Sequence, residues 1–131
     1  MKKFTDIKTV EDAYKVLGID RHIALPDYSK MPEKHHVAFT AHADLVIVIE
    51  ALNFIENNNE TWQPNWSNYD ERKYYPWFEY DEDLKRLVFH YVTGWFTTTR
   101  ASSRLCFKSR DLAEYAAKQF EDLYNRYYLL N

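Results

Sequence analysis

Residues 43–55, "ADLVIVIEALNFI", form the most apolar stretch of the chain. An apolar stripe at helical spacing runs through and beyond it: Val37, Ala41, Leu45, Val48, Leu52 and Ile55. Val46, Ile47 and Ile49 lie off that stripe, so the middle of the helix is apolar almost all round. We predict a central helix, buried on several sides, that begins near Pro32 and ends at the "NNN" run, residues 57–59.

Two further helices are marked by their ends. Thr9 is a natural N-cap with Asp12 three residues later, and Gly18 closes the element. Ser109 caps a last helix predicted from residue 110 to about residue 129. Its apolar stripe is Leu112, Ala116, Phe120, Leu123 and Tyr127.

The strands fall between the central and last helices. Residues 73–80 and 84–96 read as strands joined by a turn at 81–83, and 103–108 reads as a third. Pro76 places the first strand at a sheet edge. Both faces of the second are largely apolar, so we expect it to be covered on both sides. The prediction is one domain, 1–131, of class α+β: a small antiparallel sheet of about three strands packed with a central buried helix and a C-terminal helix.

Composition favours a folded protein of the cytoplasm. The 131 residues are 46% hydrophobic, 18% aromatic and 28% charged. A single cysteine excludes an internal disulfide and suits a reducing compartment. The start, "MKKFTDIKTV", has no apolar run of a secretory signal. Residues 43–55 contain Asp44 and Glu50 and are too short to span a bilayer, so we expect no membrane association.

The charge is distributed unevenly. Residues 1–84 hold nine Lys/Arg and sixteen Asp/Glu, whereas residues 85–131 hold eight and four. From residue 85 to residue 110 there is no acid, and the cations are Lys85, Arg86, Arg100, Arg104, Lys108 and Arg110. This segregation marks either a surface that faces an anion or one half of the protein neutralising the other.

Residue types that carry catalysis or bind cofactors occur without the required spacing. The two glycines, Gly18 and Gly94, form no phosphate-binding loop. His35 and His42 are seven residues apart on the central helix, about 10.5 Å of rise, so they cannot share a metal ion. Cys106 lies near cations that lower a thiol pKa, but a packed, inert cysteine is the simpler interpretation. We therefore expect no metal, no cofactor and no catalytic group, and a binding protein in preference to an enzyme.

The segment 97–110, "TTTRASSRLCFKSR", is the first candidate site. It combines hydroxyl groups with Arg100, Arg104, Lys108 and Arg110, and Ser109 opens a helix whose first N–H groups favour anions. These features suit a phosphate or nucleotide. The alternative is helix capping with solvated surface charge, since Asp111 already complements the helix dipole.

The aromatic stretch at 62–81, "WQPNWSNYDERKYYPWFEYD", is the second candidate. Its eight rings are either core or a binding surface. Trp62 and Trp66 stand in a polar context, where exposed rings can stack on a base or form a protein interface. With Trp95, they would provide stacking beside the basic segment.

Several blocks together resemble a family of small proteins, without an assigned activity, from Bacteroides-type gut bacteria and their phages. The blocks are "IKTVEDAYKVLGI", "MPEKHHVAF", "WQPNWSNYDERKYYPWF" and "SRLCFKSRDLAEYAAKQFEDLY", and the similarity runs from about Ile7 to Leu130. The chain is shorter between Tyr80 and Thr99 than that pattern. The resemblance implies a phage or mobile-element setting, with the host cytoplasm as the location.

The sequence thus predicts a non-enzymatic binding module for an anionic ligand, a nucleotide or nucleic acid. The predicted site comprises Arg100, Arg104, Lys108, Ser109, Arg110, Trp62, Trp66 and Trp95. The alternative is a structural protein that uses its aromatic surface to form homo-oligomers or to dock on a larger particle, a phage or host protein.

Overall fold

The computed structural model describes residues 3–68, 70–96 and 105–129, and for Trp95 and Phe96 the backbone alone. Helix α1, Val10–Leu17, is bounded as the sequence predicted. Thr9 Oγ1 accepts from the Asp12 N–H, and the Asp12 carboxylate accepts from the Thr9 N–H, each at 3.1 Å. Gly18 ends the helix in the left-handed conformation, at φ 68°. A short helix α2, Arg21–Ala24, follows and is capped by the Asp20 carboxylate.

Helix α3, His36–Glu56, is the predicted central helix. A 3₁₀ turn, Glu33–His35, precedes it, and Asn58 and Asn59 end it with positive φ, which asparagine tolerates. The helix packs against α1 and the last helix of the chain. Its buried apolar residues form the middle of the core: Ala41, Leu45, Val48, Ile49, Ala51, Leu52 and Ile55. Val37, which the sequence placed on the buried stripe, is exposed.

The sheet is an antiparallel hairpin of β1, Arg72–Asp81, and β2, Arg86–Phe96. The class α+β is confirmed, but the described residues form two strands instead of about three. Of the predicted third strand, Phe107 makes a single bridge to Tyr74. The next position of that ladder would pair Leu105 with Pro76, and Pro76 has no N–H to donate. Within residues 105–129 of the described chain the bridge stays isolated.

The expectation that β2 is covered on both faces is wrong. The register shifts between Trp77 and Phe78, which leaves His90 as an extra residue on β2. Such a bulge reverses the inward and outward alternation. Phe89 and Val92 consequently both face the core, whereas Tyr91 is exposed on the outer face of the hairpin.

The last predicted helix is two helices in the structure. Helix α4, Arg110–Gln119, and helix α5, Glu121–Tyr128, meet at Phe120, whose backbone is not helical. Leu112, Ala116, Phe120 and Leu123 of the predicted stripe are all buried. The helices pack on one side of the hairpin and on α3, and the core lies between these layers.

Candidate functional site

The loop that joins α3 to β1 is folded around the ammonium group of Lys73. The Lys73 side chain is 1% exposed, and its Nζ lies 3.0 Å from the Glu71 carboxylate. Nζ also donates to the carbonyl oxygens of Asn65 at 2.9 Å, Glu71 at 3.1 Å and Asn68 at 3.4 Å. The ring of Trp66 lies 5.3 Å from the same nitrogen. A buried charge is tolerated only when it is paired and hydrogen-bonded, so these contacts fix the loop and the position of Trp66.

A cleft of about 350 Å³ lies between this loop and the second half of α3. This volume is within the range of small-molecule sites in proteins. Both tryptophans of the loop, Trp62 and Trp66, contribute to its walls, and both are half-buried. The remaining lining is Val46, Ile49, Glu50, Asn53, Thr61, Gln63, Pro64 and Cys106. We call this the tryptophan cleft.

One side of the tryptophan cleft is held in place by Asn53. Its Nδ2 donates to the Cys106 carbonyl at 3.0 Å, and its Oδ1 accepts from the Lys108 N–H at 2.8 Å. The Asn53 amide is therefore occupied by the backbone of residues 106–108. Within the described residues, the side chains of Glu50, Thr61 and Gln63 make no hydrogen bond, and all three residues are exposed. They are the polar groups that a ligand could contact.

Cys106 is not an activated nucleophile. The residue is buried, and burial raises the pKa of its thiol to about 11. A thiol with this pKa is protonated at neutral pH, and the thiolate is the reactive form. The inert interpretation of Cys106 is the one that the structure supports.

Three of the four described cations between residues 85 and 110 have side-chain partners within the protein, and Lys85 has none among the described residues. Arg86 Nη2 lies 3.0 Å from the Glu121 carboxylate and 2.9 Å from that of Asp122. Lys108 Nζ donates to Asn57 Oδ1 at 2.7 Å. Arg110 Nη1 donates to the Val92 carbonyl at 3.0 Å, and its guanidinium lies over the ring of Tyr74. These contacts tie helices to the hairpin and to α3.

The predicted site is brought together only in part. Ser109 acts as the N-cap of α4, because its Oγ accepts from the Leu112 N–H at 3.2 Å. Lys108, Ser109 and Arg110 are not among the described residues that line the tryptophan cleft. Arg100 and Arg104 lie outside the described residues, and the side chain of Trp95 is likewise not described. Of the predicted site residues, the structure therefore places Trp62 and Trp66 in one site.

The sequence did not reveal a buried polar network near α1. The Asp44 carboxylate, buried on α3, accepts from Tyr14 Oη at 2.9 Å, Arg21 Nε at 3.0 Å and Arg21 Nη2 at 2.9 Å. Burial, followed by the hydrogen bond to Asp44, raises the pKa of Tyr14. An acid in an otherwise apolar helix was the available signal, but its partners are distant in sequence. Both oxygens of Asp44 are paired, and the network joins α1, α2 and α3.

The described residues contain no group of three or more His, Cys, Asp or Glu side chains that could hold a metal ion. They contain one helical stretch, Glu33–Glu56, with the length and hydropathy of a membrane span, and half of its apolar window is buried inside the fold. Core helices of soluble proteins share these properties, so the stretch alone is weak evidence for a membrane.

Comparison of the chain with protein-family models, with curated proteins and with solved structures gave no match.

Proposed function

We propose that the protein is a non-enzymatic binding module that holds the base of a nucleotide, or of single-stranded nucleic acid, in the tryptophan cleft. The observation that supports this most is the joint lining of one cleft by two indoles and the carboxylate of Glu50, which has no hydrogen-bond partner within the described residues. Indole rings stack on bases of any sequence, each stack contributing about 1–3 kcal/mol. A cleft of this volume suits a single base with its sugar.

Glu50 favours a base that carries an exocyclic amino group. Its carboxylate can only accept hydrogen bonds when ionised, as Glu does from the amino group of cytosine. Cytosine and adenine present such a group, and uracil and hypoxanthine do not. The proposed ligand class is therefore an amino-bearing base. That Arg100 and Arg104 bind the phosphate of the nucleotide stays a prediction.

Calorimetric titration of cytidine, uridine, adenosine and inosine, with their monophosphates, tests this function. We expect cytidine to bind more tightly than uridine, and adenosine more tightly than inosine. Glu50→Gln should reduce each preference by roughly tenfold, because a hydrogen bond to a charged acceptor is lost. If cations contact the phosphate, rising salt should weaken the binding of the monophosphates and leave the binding of the nucleosides unchanged.

Trp62→Ala and Trp77→Ala form a matched pair for the same titrations. Trp62 lines the cleft, whereas Trp77 is exposed on the hairpin. Binding should be lost in the first variant and retained in the second, with circular dichroism confirming that both are folded. An equal loss in both variants, or a wild-type protein that binds none of these ligands, would refute the proposed function.

A second candidate is an assembly role, supported by a separate surface. Trp77 and Tyr91 stack with ring centroids 6.1 Å apart, and they are 47% and 53% exposed. Large exposed rings of this kind are enriched in protein interfaces. The partner would be a second copy or a phage or host protein. Light scattering tests this role: a salt-insensitive oligomer without nucleoside binding favours it, and a monomer at all concentrations opposes it.

The phage-associated setting and the cytoplasmic location belong to the same proposal. What supports them is the sequence resemblance given above.

A further inference from the structure

The outer edge of β2 is occupied by side chains from the helices. The Asn125 side-chain amide accepts from the Leu87 N–H at 2.7 Å and donates to the Leu87 carbonyl at 3.0 Å. Glu121 Oε2 accepts from the Phe89 N–H at 3.3 Å. Arg110 donates to the Val92 carbonyl, as described above. Four backbone groups on this edge, the Leu87 N–H and carbonyl, the Phe89 N–H and the Val92 carbonyl, are therefore bonded to side chains that obstruct an incoming strand.

Among the described residues, the outer edge of β1 is paired at one end only. Alternation along the strand directs the backbone groups of Tyr74, Pro76, Phe78 and Tyr80 to this edge. Tyr74 exchanges hydrogen bonds with Phe107, at 3.2 and 2.8 Å. The N–H groups of Phe78 and Tyr80 have no backbone partner within the described residues. An open edge of this kind is a template for another strand.

Exposed aromatic side chains lie on both sides of the open edge. Trp77 projects from the outer face, and Tyr80 projects from the other. Tyr128, at the end of α5, is half-exposed and lies beside Phe78, with ring centroids 6.2 Å apart. A strand added at this edge would remove part of these rings from water.

We propose that the open edge of β1 pairs with β1 of a second copy, antiparallel and across a two-fold axis at Phe78. The two Phe78 residues would exchange hydrogen bonds, and Tyr80 would donate its N–H to Pro76 O of the partner subunit. The edge is self-complementary in this register. Pro76 has no N–H to donate, but its carbonyl provides the acceptor that the N–H of the opposite residue, Tyr80, needs. The two hairpins then form one four-stranded sheet.

Charge favours this register over its neighbour. With the axis at Phe78, Glu79 lies opposite the partner subunit's Trp77. With the axis moved to Glu79, the two Glu79 carboxylates would face each other directly, and like charges in that position are destabilising. The Phe107 bridge at Tyr74 and the turn after Asp81 limit the pairing to residues 76–80 of each copy.

The dimer should be reversible. Half-exposed Trp77, Tyr80 and Tyr128 offer roughly 300 Å² of aromatic surface per copy, against about 800 Å² per partner in a standard interface. Association must therefore be measured by sedimentation velocity over a wide range of protein concentration. The proposal rests on the hairpin and specifies the surface for the assembly role. It is independent of the tryptophan cleft, and nucleoside binding does not decide it.

Trp77→Glu and Tyr91→Glu form the deciding pair of variants, because a glutamate at position 77 would face the partner subunit's Glu79 as a like charge. Both remove one ring of the same exposed stack, so their effects on the hairpin itself are matched. Trp77 is on the strand that pairs, whereas Tyr91 is on β2, away from the open edge. We expect the first variant to remain monomeric where wild type dimerises, and the second to dimerise.

Hydrogen exchange of the wild-type protein gives a readout without mutation. The amides of Phe78 and Tyr80 should exchange more slowly as protein concentration rises, and those of Leu87 and Phe89 should not change. A wild type that is monomeric throughout overturns the proposal. So does equal loss of the dimer in both glutamate variants, which would assign the contact to the outer face instead of the strand edge.

Discussion

The ammonium group of Lys73 lies 3.0 Å from the carboxylate of Glu71, inside the loop that carries both tryptophans of the cleft. Three backbone carbonyls of the same loop accept from this nitrogen. The ion pair is therefore the structural centre of the cleft wall, although neither residue lines the cleft. Its contribution can be measured separately from ligand binding.

Lys73→Met should lower the free energy of unfolding by about 2–3 kcal/mol. The methionine fills similar space but leaves the loop carbonyls and Glu71 without their donor. Glu71→Gln should cost less, because the neutral amide still accepts hydrogen bonds. Urea unfolding followed by circular dichroism measures both, and Trp66 fluorescence should change in the Lys73 variant. A Lys73→Met protein as stable as wild type would contradict the role given to the ammonium group.

Asn53→Ala should destabilise the protein by about 2 kcal/mol. The substitution leaves the Cys106 carbonyl and the Lys108 N–H without their partners in a buried position. Gln63→Ala, at an exposed position of the same cleft, is the matched control and should leave stability unchanged. Thermal unfolding of the two variants provides the comparison, and similar melting temperatures would show that Asn53 does not hold residues 106–108.

Tyr14→Phe and Tyr124→Phe should change the free energy of unfolding by amounts that differ in sign or size. The first removes a hydrogen bond to a buried carboxylate and should cost about 1–2 kcal/mol. The second removes a buried hydroxyl that has no hydrogen-bond partner within the described residues. Tyr124→Phe should therefore be neutral or stabilising, within about 1 kcal/mol. Denaturant unfolding of both variants checks the contrast, and an equal cost would argue against it.

Stability should fall as the solution becomes alkaline. Burial raises the pKa of Tyr14 and Tyr124 above the ordinary value of 10.0. Above about pH 10 the unfolded chain therefore binds fewer protons than the folded protein, and the free energy of unfolding decreases with pH. The slope should be smaller in Tyr14→Phe. Urea titrations at a series of alkaline pH values test this, and a flat profile would contradict the raised pKa.

Cys106 should react slowly with a disulfide reagent at neutral pH. Its thiol is buried and protonated, since burial raises its pKa to about 11. In urea the same thiol should react at the rate of a free cysteine. Absorbance of the released thiolate gives both rates. Rapid modification of the folded protein would indicate that the cleft exposes Cys106.

Local signals in the sequence were sufficient for most helices. The Thr9 and Asp12 capping box, Gly18 and the Ser109 cap depend on neighbours within a few residues, and all are found as predicted. The core stripe of α3 follows from periodicity alone. The break at Phe120 has no such marker, because the apolar spacing continues through it.

Tertiary contacts explain what sequence patterns could not predict. The bulge at His90 depends on how β2 meets β1, and it places Phe89 and Tyr91, two positions apart, on opposite faces. The partners of Arg86 and Arg110 are distant in sequence, so an acid-free segment could not be distinguished from a cationic surface. The described part of the predicted third strand makes one isolated bridge, and its register against Pro76 cannot be read from the sequence. Trp62 and Trp66 were identified from their polar context, but their shared cleft required the path of the loop around Lys73.

The amide of Asn125 has a consequence for how far this protein can aggregate. Its hydrogen bonds with the backbone of Leu87 obstruct the outer edge of β2, one of the two edges at which a hairpin can pair with another strand. Another strand can then pair only at the outer edge of β1, and a dimer formed there by two identical copies uses this edge in both copies. In the proposed dimer, growth would therefore end at a closed pair instead of continuing into a fibre.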